Sequence, residues 1–323
     1  VRSIAICYDG GIRDNGTPFY LRFAMAQEFG TDPEWYTEDP SAQEGGIPDI
    51  HDFIIHVDDG RDDLPVSGIP HPWGYWAVDS HLGPEIRIAK AKQADLVWCA
   101  QKPFVEVLAQ HGVKAKWLPL ACEPLLHETA FEAAVRKAKE ANPDAPNGTI
   151  VQFDVPSPNY DLAFVGHLGD PGRLEFLDRL FTAFPNSWYA YGVFHQDMAA
   201  HYHRARLGIN HAVRDDLNMR FFELACMGVP QLADARMVGW AELGFSKNQH
   251  FIASVKYPVT AAKYALSGDN SRMAQRALEL VRSHHTYRHR LCTMLEDIES
   301  FLRGTPACIS SAFKSSPEGS LLS

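Results

Sequence analysis

Two consecutive parallel-sheet units of the α/β class are what this sequence predicts, on three observations. Short apolar runs rich in β-branched and aromatic residues alternate with helical patterns, the mark of strands buried on both faces. The alternation restarts after a polar stretch near the middle of the chain. With 323 residues, 46% of them hydrophobic and 22% charged, the chain is long and apolar enough for about two buried cores.

In the first half, SIAICY, DFIIHV, GYWAVD, DLVWCA and VKAKWLP read as strands. Helices are expected at PFYLRFAMAQEF, where Pro18 takes the first helical position, at PEIRIAKAKQA, and at KPFVEVLAQHG with Gly112 as its stop. The charged stretch FEAAVRKAKEANPDAPNGT and the proline-marked DVPSPNY separate the halves, which gives units at residues 1–157 and 158–303. The second half runs DLAFVG, a helix from Pro171 to Phe184, SWYAYG, a helix around His201, LGINHA, a further helix, and PQLAD. SRMAQRALELVRSHHTYRHRLCTMLEDIESFL reads as a long closing helix of the second unit. Residues 304–323, rich in Ser, Pro and Gly and without apolar periodicity, are expected to form a loose tail.

The net charge of −10 and pI near 5.8 exclude a global field that attracts polyanions, and no run of Lys and Arg supplies a local one. Cys7, Cys99, Cys122, Cys226, Cys292 and Cys308 form no C-x-x-C pair, so reduced thiols in a cytoplasmic protein are expected. The apolar core of VRSIAICYDGG is too short for a signal peptide or a membrane span, and no targeting segment or span is expected.

The stretch DDLNMRFFELACMGVP, Asp215 to Pro230, carries the strongest local signal. A helix from Asn218 to Met227 places Phe221, Leu224 and Ala225 on one apolar face, with Asn218 or Asp216 as cap and Gly228 as stop. Arg220 and Glu223 then stand three residues apart on one side. One reading is a surface ion pair worth a few tenths of a kcal/mol. The other follows from position: the helix begins at the carboxyl edge of a sheet, where its dipole and N–H groups favour a phosphate. Arg220 would add a forked donor for a diphosphate, and Glu223 would accept hydrogen bonds from a ribose.

YDLAFVGHLGDPGR, NMRFFELACMGVPQLAD, AELGF and HHTYRHR, between Tyr160 and Arg290, resemble the C-terminal domain of GT-B glycosyltransferases of the CgeB-like, spore-maturation type. DFIIHVDDG, WGYWAVDSH and AKWLPLACEP with His127 resemble the N-terminal domain found with it. The resemblance implies two Rossmann-like domains with parallel sheets facing a central cleft. It also implies transfer of a sugar from a nucleotide donor, most often a UDP-sugar, to an acceptor, with retention. Related retaining enzymes carry E-x7-E; Glu223 matches the second position, and Asp215 takes the place of the first. The loop GHLGDPGR resembles the glycine-containing loop of the nucleotide domain, so Gly166, His167, Gly169 and Arg173 join the donor-side candidates; an ordinary strand-to-helix turn is the other reading.

On the first unit, Gly10 and Gly11 offer backbone where a sugar or acceptor could approach, or plain turn chemistry. Asp79 and His81, just past a buried strand, could position or deprotonate an acceptor hydroxyl, or cap a turn and lie in solvent. Asp58 or Asp59 in VDDGRDD is a secondary base candidate. A metal could be written for His195, His201 and His203, or for His285 and His289, but no H-E-x-x-H or carboxylate cluster accompanies them. D-x-D is absent too, so neither metal nor other cofactor is expected, and helix N-terminus and arginines would neutralise the leaving diphosphate. The expected activity is a metal-independent GT-B glycosyltransferase with an unidentified acceptor: a polysaccharide, a small molecule, a protein or modified nucleic acid. A UDP-sugar epimerase and a non-catalytic nucleotide-sugar-binding protein are the alternatives.

Overall fold

The computed structural model describes residues 3–8, 16–36, 47–58, 66–80, 82–143, 155, 157–254 and 256–304. Gly10, Gly11, Asp59, His81, Cys308 and the tail from residue 305 lie outside the described residues. The first sheet has six parallel strands in the order β2-β1-β3-β4-β5-β6: β1 Ile4–Cys7, β2 Trp35–Tyr36, β3 Phe53–Val57, β4 Trp73–Ala77, β5 Leu96–Cys99 and β6 Lys116–Trp117. Every residue of β3 and β4 is buried, which is why these strands read as continuous apolar runs. Helices α1 Thr17–Phe29, α2 Pro84–Ala91 and α3 Lys102–Gln110 connect them, each with proline in its first turn.

The charged stretch between the halves is not a bare linker. It forms α4, Ala130–Ala141, started by a capping box in which Thr129 and Glu132 satisfy each other's backbone N–H. The second sheet has five parallel strands in the order β11-β10-β9-β7-β8: β7 Tyr160–Val165, β8 Ser187–Ala190, β9 Ala205–Asn210, β10 Gln231–Asp234 and β11 Ile252–Ser254. Its helices are α5 Pro171–Ala183, α6 His195–Tyr202, α7 Met219–Cys226, α8 Pro258–Leu266 and α9 Ser271–His284. Among the described cysteines, Cys7, Cys99, Cys122 and Cys226 are buried and Cys292 exposed, all as free thiols.

One expectation about the last helix is corrected. The long helical pattern breaks after His284, because Thr286 caps a new helix α10, Tyr287–Leu302, through a reciprocal pair with His289. That helix packs on both units: Tyr287, Leu291, Met294 and Ile298 share a core with Ile6, Leu21 and Phe53 of the first and with Phe221, Phe222 and Val281 of the second. Its buried stripe finds an apolar partner on α1, so sequence order is a poor guide to its place. Polar contacts hold it there. Trp98 Nε1 donates to Asp297 at 2.9 Å, and the buried Arg290 guanidinium donates to the carbonyls of Pro119 (2.7 Å), Leu120 (3.1 Å) and His284 (3.3 Å).

Arg290→Ala strands those three carbonyls and is expected to lower unfolding stability by about 3 kcal/mol, measured by urea denaturation. A loss under about 1 kcal/mol would leave the anchoring to apolar contacts alone.

Candidate active site

In each sheet the chain builds one side, then switches to the other, and ligands of open parallel sheets sit beyond the strand ends at that switch. The switch lies between β1 and β3 in the first sheet and between β7 and β9 in the second. Tyr8 and Asp58 follow β1 and β3; Gly166 and His211 follow β7 and β9. All four line one cavity of about 370 Å³, shared with Asp79, Arg173, Asp216, Asn218, Arg220 and Glu223. The N-termini of α7 and, unforeseen, of α1 (Gly16, Thr17, Pro18) also reach it. Both bring the positive end of a helix dipole.

Helix α7 begins where expected, with the Asn218 side chain accepting from Phe221 N at 3.2 Å and Asn218 Nδ2 donating to Asn210 Oδ1 at 3.0 Å. Arg220 and Glu223 are not a surface pair. Glu223 is 2% exposed, with Oε2 2.7 Å from Arg220 Nη1 and Oε1 3.2 Å from His127 Nε2. Burial pushes this carboxyl up in pKa, but Arg220, His127 and His195 outweigh it and hold the group at about 2. No N–H or O–H of the described residues is directed at Oε2 within hydrogen-bond geometry, since Nη1 approaches off the hydrogen-bonding direction. Glu223 lines the cavity with its Oε2 buried beside the Arg220 charge and outside any directed hydrogen bond among the described residues.

The loop after β7 is tighter than a phosphate cradle requires. Gly166 has φ +157°, and a Cβ there would lie 3.0 Å from the Phe164 ring. At Gly169 a Cβ would collide with the His167 ring, and the Gly169 N–H donates to His167 Nδ1 at 2.9 Å. His167 and Gly169 are thus turn-makers outside the cavity lining, while Gly166 and Arg173 line it. The Arg173 guanidinium ties the two strand ends together by donating to His167 O (2.8 Å) and His211 O (2.9 Å).

The carboxylates differ from expectation. Asp215 is exposed and outside the cavity lining; its neighbour Asp216 faces inward instead, because the turn before the Asn218 cap directs alternate residues to opposite sides. Asp58 is fully buried, with Arg87 Nε and Tyr75 Oη each donating to Oδ2 at 3.0 Å, so it anchors the first unit rather than serving as an available base. Asp79 and Asp216 both line the cavity, and Gln101 ties Asp216 to the backbone beside Asp79: its Oε1 accepts from Ser80 N (3.1 Å) and its Nε2 donates to Asp216 Oδ1 (3.2 Å). Burial, then the Asp79 charge, push Asp216 up to about 7, against the pull of Gln101.

The histidines written as metal ligands have other work. His195 stacks on Phe19 (5.1 Å) and His201 on Trp188 (3.8 Å). Burial lowers His203 to about 4 and His285 to about 3, the latter with Nε2 2.9 Å from Leu243 O; His289 caps α10. Among the described residues no three His, Cys, Asp or Glu side chains converge as a ligand set, and no helix is long and apolar enough to cross a membrane.

This two-sheet architecture is the GT-B fold. Residues 157–296 match the glycosyl transferase-like family. Sucrose-phosphate synthase from Thermosynechococcus elongatus superposes with TM-score 0.59 at 13% identity over 94% of this chain and 100% of that one. HepE of Anabaena in complex with UDP and glucose gives 0.62 at 13% over 93% and 100%. An α-glucosyltransferase in complex with UDP and a DNA 13-mer containing an HMU base gives 0.61 at 11% over 92% and 99%. At these identities the likeness is one of fold. No curated protein matches the sequence.

The two perturbed carboxyls predict opposite pH responses. From about pH 4 to about pH 7 the folded chain keeps a proton on Asp216 that the unfolded chain has lost, so this group's stabilising contribution falls as pH rises. Glu223 contributes above its ordinary range near 4.5 and loses that contribution as pH falls toward 2. Asp216→Asn is expected to flatten the decline between about pH 4 and 7 in denaturant melts; an unchanged slope would contradict the raised carboxyl.

Proposed function

We propose that the chain is a glycosyltransferase that takes a sugar from a UDP-linked donor and passes it, with retention and without a metal ion, to an acceptor hydroxyl on the first-sheet side of the cavity. The observation that carries this reading is Glu223: a buried carboxylate with an unspent oxygen, one turn into a helix that starts at the cavity. The family match over residues 157–296 and the UDP bound in two structures of like fold support the donor class. In this reading Glu223 accepts from the ribose hydroxyls. The diphosphate lies against Arg173, Arg220 and the N-terminus of α7, where the positive charge offsets what develops on the leaving group. The bond from the anomeric carbon to the diphosphate breaks, the acceptor oxygen bonds to that carbon on the same face that the diphosphate leaves, as retention requires, and Asp79 orients the acceptor hydroxyl and takes its proton. Retention rests on the resemblance in which Glu223 takes the second position of E-x7-E, Asp215 at the first lying outside the cavity lining, and the anomeric configuration of the product by NMR tests it.

Glu223→Ala is expected to weaken uridine and UDP binding by about tenfold to a hundredfold, the worth of one lost charge-assisted hydrogen bond or more. Arg220→Ala should cost UDP more than uridine. Calorimetric titration of both variants checks this, and native affinities throughout would remove the donor site from this cavity.

Transfer activity is expected to survive exhaustive treatment with EDTA, because two arginines and two helix N-termini reach the cavity. Loss of transfer that returns on adding Mn²⁺ or Mg²⁺ would overturn the metal-free mechanism.

A further inference from the structure

His127 lies outside the segment that matches the glycosyl transferase-like family, in the connection between β6 and α4, and it is fully buried. Its ring is oriented from behind: the backbone N–H of Glu123 donates to Nδ1 at 3.0 Å, so Nδ1 is the acceptor and the ring proton resides on Nε2. That Nε2–H is 3.2 Å from Glu223 Oε1, with Tyr20 Oη 3.4 Å away on the same nitrogen. One carboxylate oxygen is thereby held by the connection, and the other faces the Arg220 charge without a directed donor.

We propose that His127 is a positioning residue for nucleoside recognition: by donating from Nε2 it locks the Glu223 carboxylate so that Oε2 is left to accept from the hydroxyls of a ribose. This rests on the reading of Glu223 as the ribose carboxylate. A carboxylate without that lock can rotate about its last torsion, which is broad and soft, and spend both oxygens on Arg220. The lock makes affinity for the nucleoside depend on a residue contributed by the chain between the two sheets.

The two nitrogens of the ring separate a structural role from this one. Asparagine places its amide near the Nδ1 position and can accept from Glu123 N–H, but it does not reach Glu223. Glutamine extends an N–H to the Nε2 position. His127→Asn is expected to weaken uridine binding about tenfold or more, the worth of a charge-assisted hydrogen bond, while His127→Gln stays within about threefold of the native chain. If His127→Asn preserves native affinity, or if glutamine rescues nothing relative to asparagine, the positioning role is overturned. ¹⁵N spectra of the histidine rings of the unsubstituted protein give a second measurement that needs no variant to fold. A neutral Nε2–H tautomer for the ring nearest Glu223, with its Nε2 resonance moving on addition of uridine, is expected; an Nδ1–H tautomer or an unmoved resonance overturns the proposal. Glu223→Ala, titrated alongside, separates the failures. Native uridine affinity in that variant removes the ribose reading and this inference together, whereas lost affinity there with native affinity in His127→Asn removes only the inference.

Discussion

A charge buried at the seam between two sheets sets the terms for everything around it. Taking a carboxylate out of water costs several kcal/mol even after relaxation, and the cost is recovered only where partners with good geometry surround the group. Glu223, 2% exposed, draws those partners from different parts of the chain. Arg220 comes from its own helix, His127 from the connection between the sheets, and His195 from α6, where its ring stacks on Phe19 of the first unit. The partners of one side chain therefore tie the two sheets into one surface.

The return of α10 serves the same seam from the far side. Arg290 is a buried cation with no carboxylate among its hydrogen-bond acceptors in the described residues; it donates to carbonyls of the segment that follows β6, at Pro119 and Leu120. That segment continues through Cys122, which pairs with Thr286 in an isolated bridge, to Glu123 and His127. The anchoring of α10 and the orientation of the ring beside Glu223 are consecutive steps along nine residues of chain, from Pro119 to His127. Tyr287, the first residue of α10, stacks on Tyr20, whose hydroxyl meets the same His127 nitrogen. Packing thus connects the closing helix to the cavity wall without any residue of α10 lining the cavity itself.

How much of this was legible beforehand depends on the range of the interaction. Strands such as Phe53–Val57 and Trp73–Ala77 were legible because burial on both faces writes an unbroken apolar run, and α7 because a cap, an apolar face and a glycine stop lie within a few residues. The short edge strand Trp35–Tyr36 and the three-residue β11 leave too few residues to make a period, and α4 was hidden by its charge although its capping box is present in the sequence. At the site, Arg220, Glu223, Arg173, Gly166 and Asp79 were legible from their place at strand ends. The exchange of Asp215 for Asp216 was not, since one residue of register in a turn decides which carboxylate faces inward. The partnership of His127 with Glu223 spans 96 positions and leaves no local pattern at all.

Charge around the cavity is compensated group by group, and this bears on how three nearby aspartates are compatible with the proposed anion site. Asp58 is neutralised by the Arg87 guanidinium behind it. Asp216, raised to about 7, carries a proton for much of the population near neutrality, and the proximity of Asp79 is one of the reasons. Asp79 lines the cavity with Arg173, Arg220 and the start of α7, where the Glu223 carboxylate pairs with Arg220. A diphosphate and a hydroxyl need opposite environments: the first requires fixed positive charge, the second a carboxylate that can accept its proton. In the proposed reading, one at the strand ends of the second sheet and the other at those of the first would let the two requirements coexist within a single cavity of about 370 Å³.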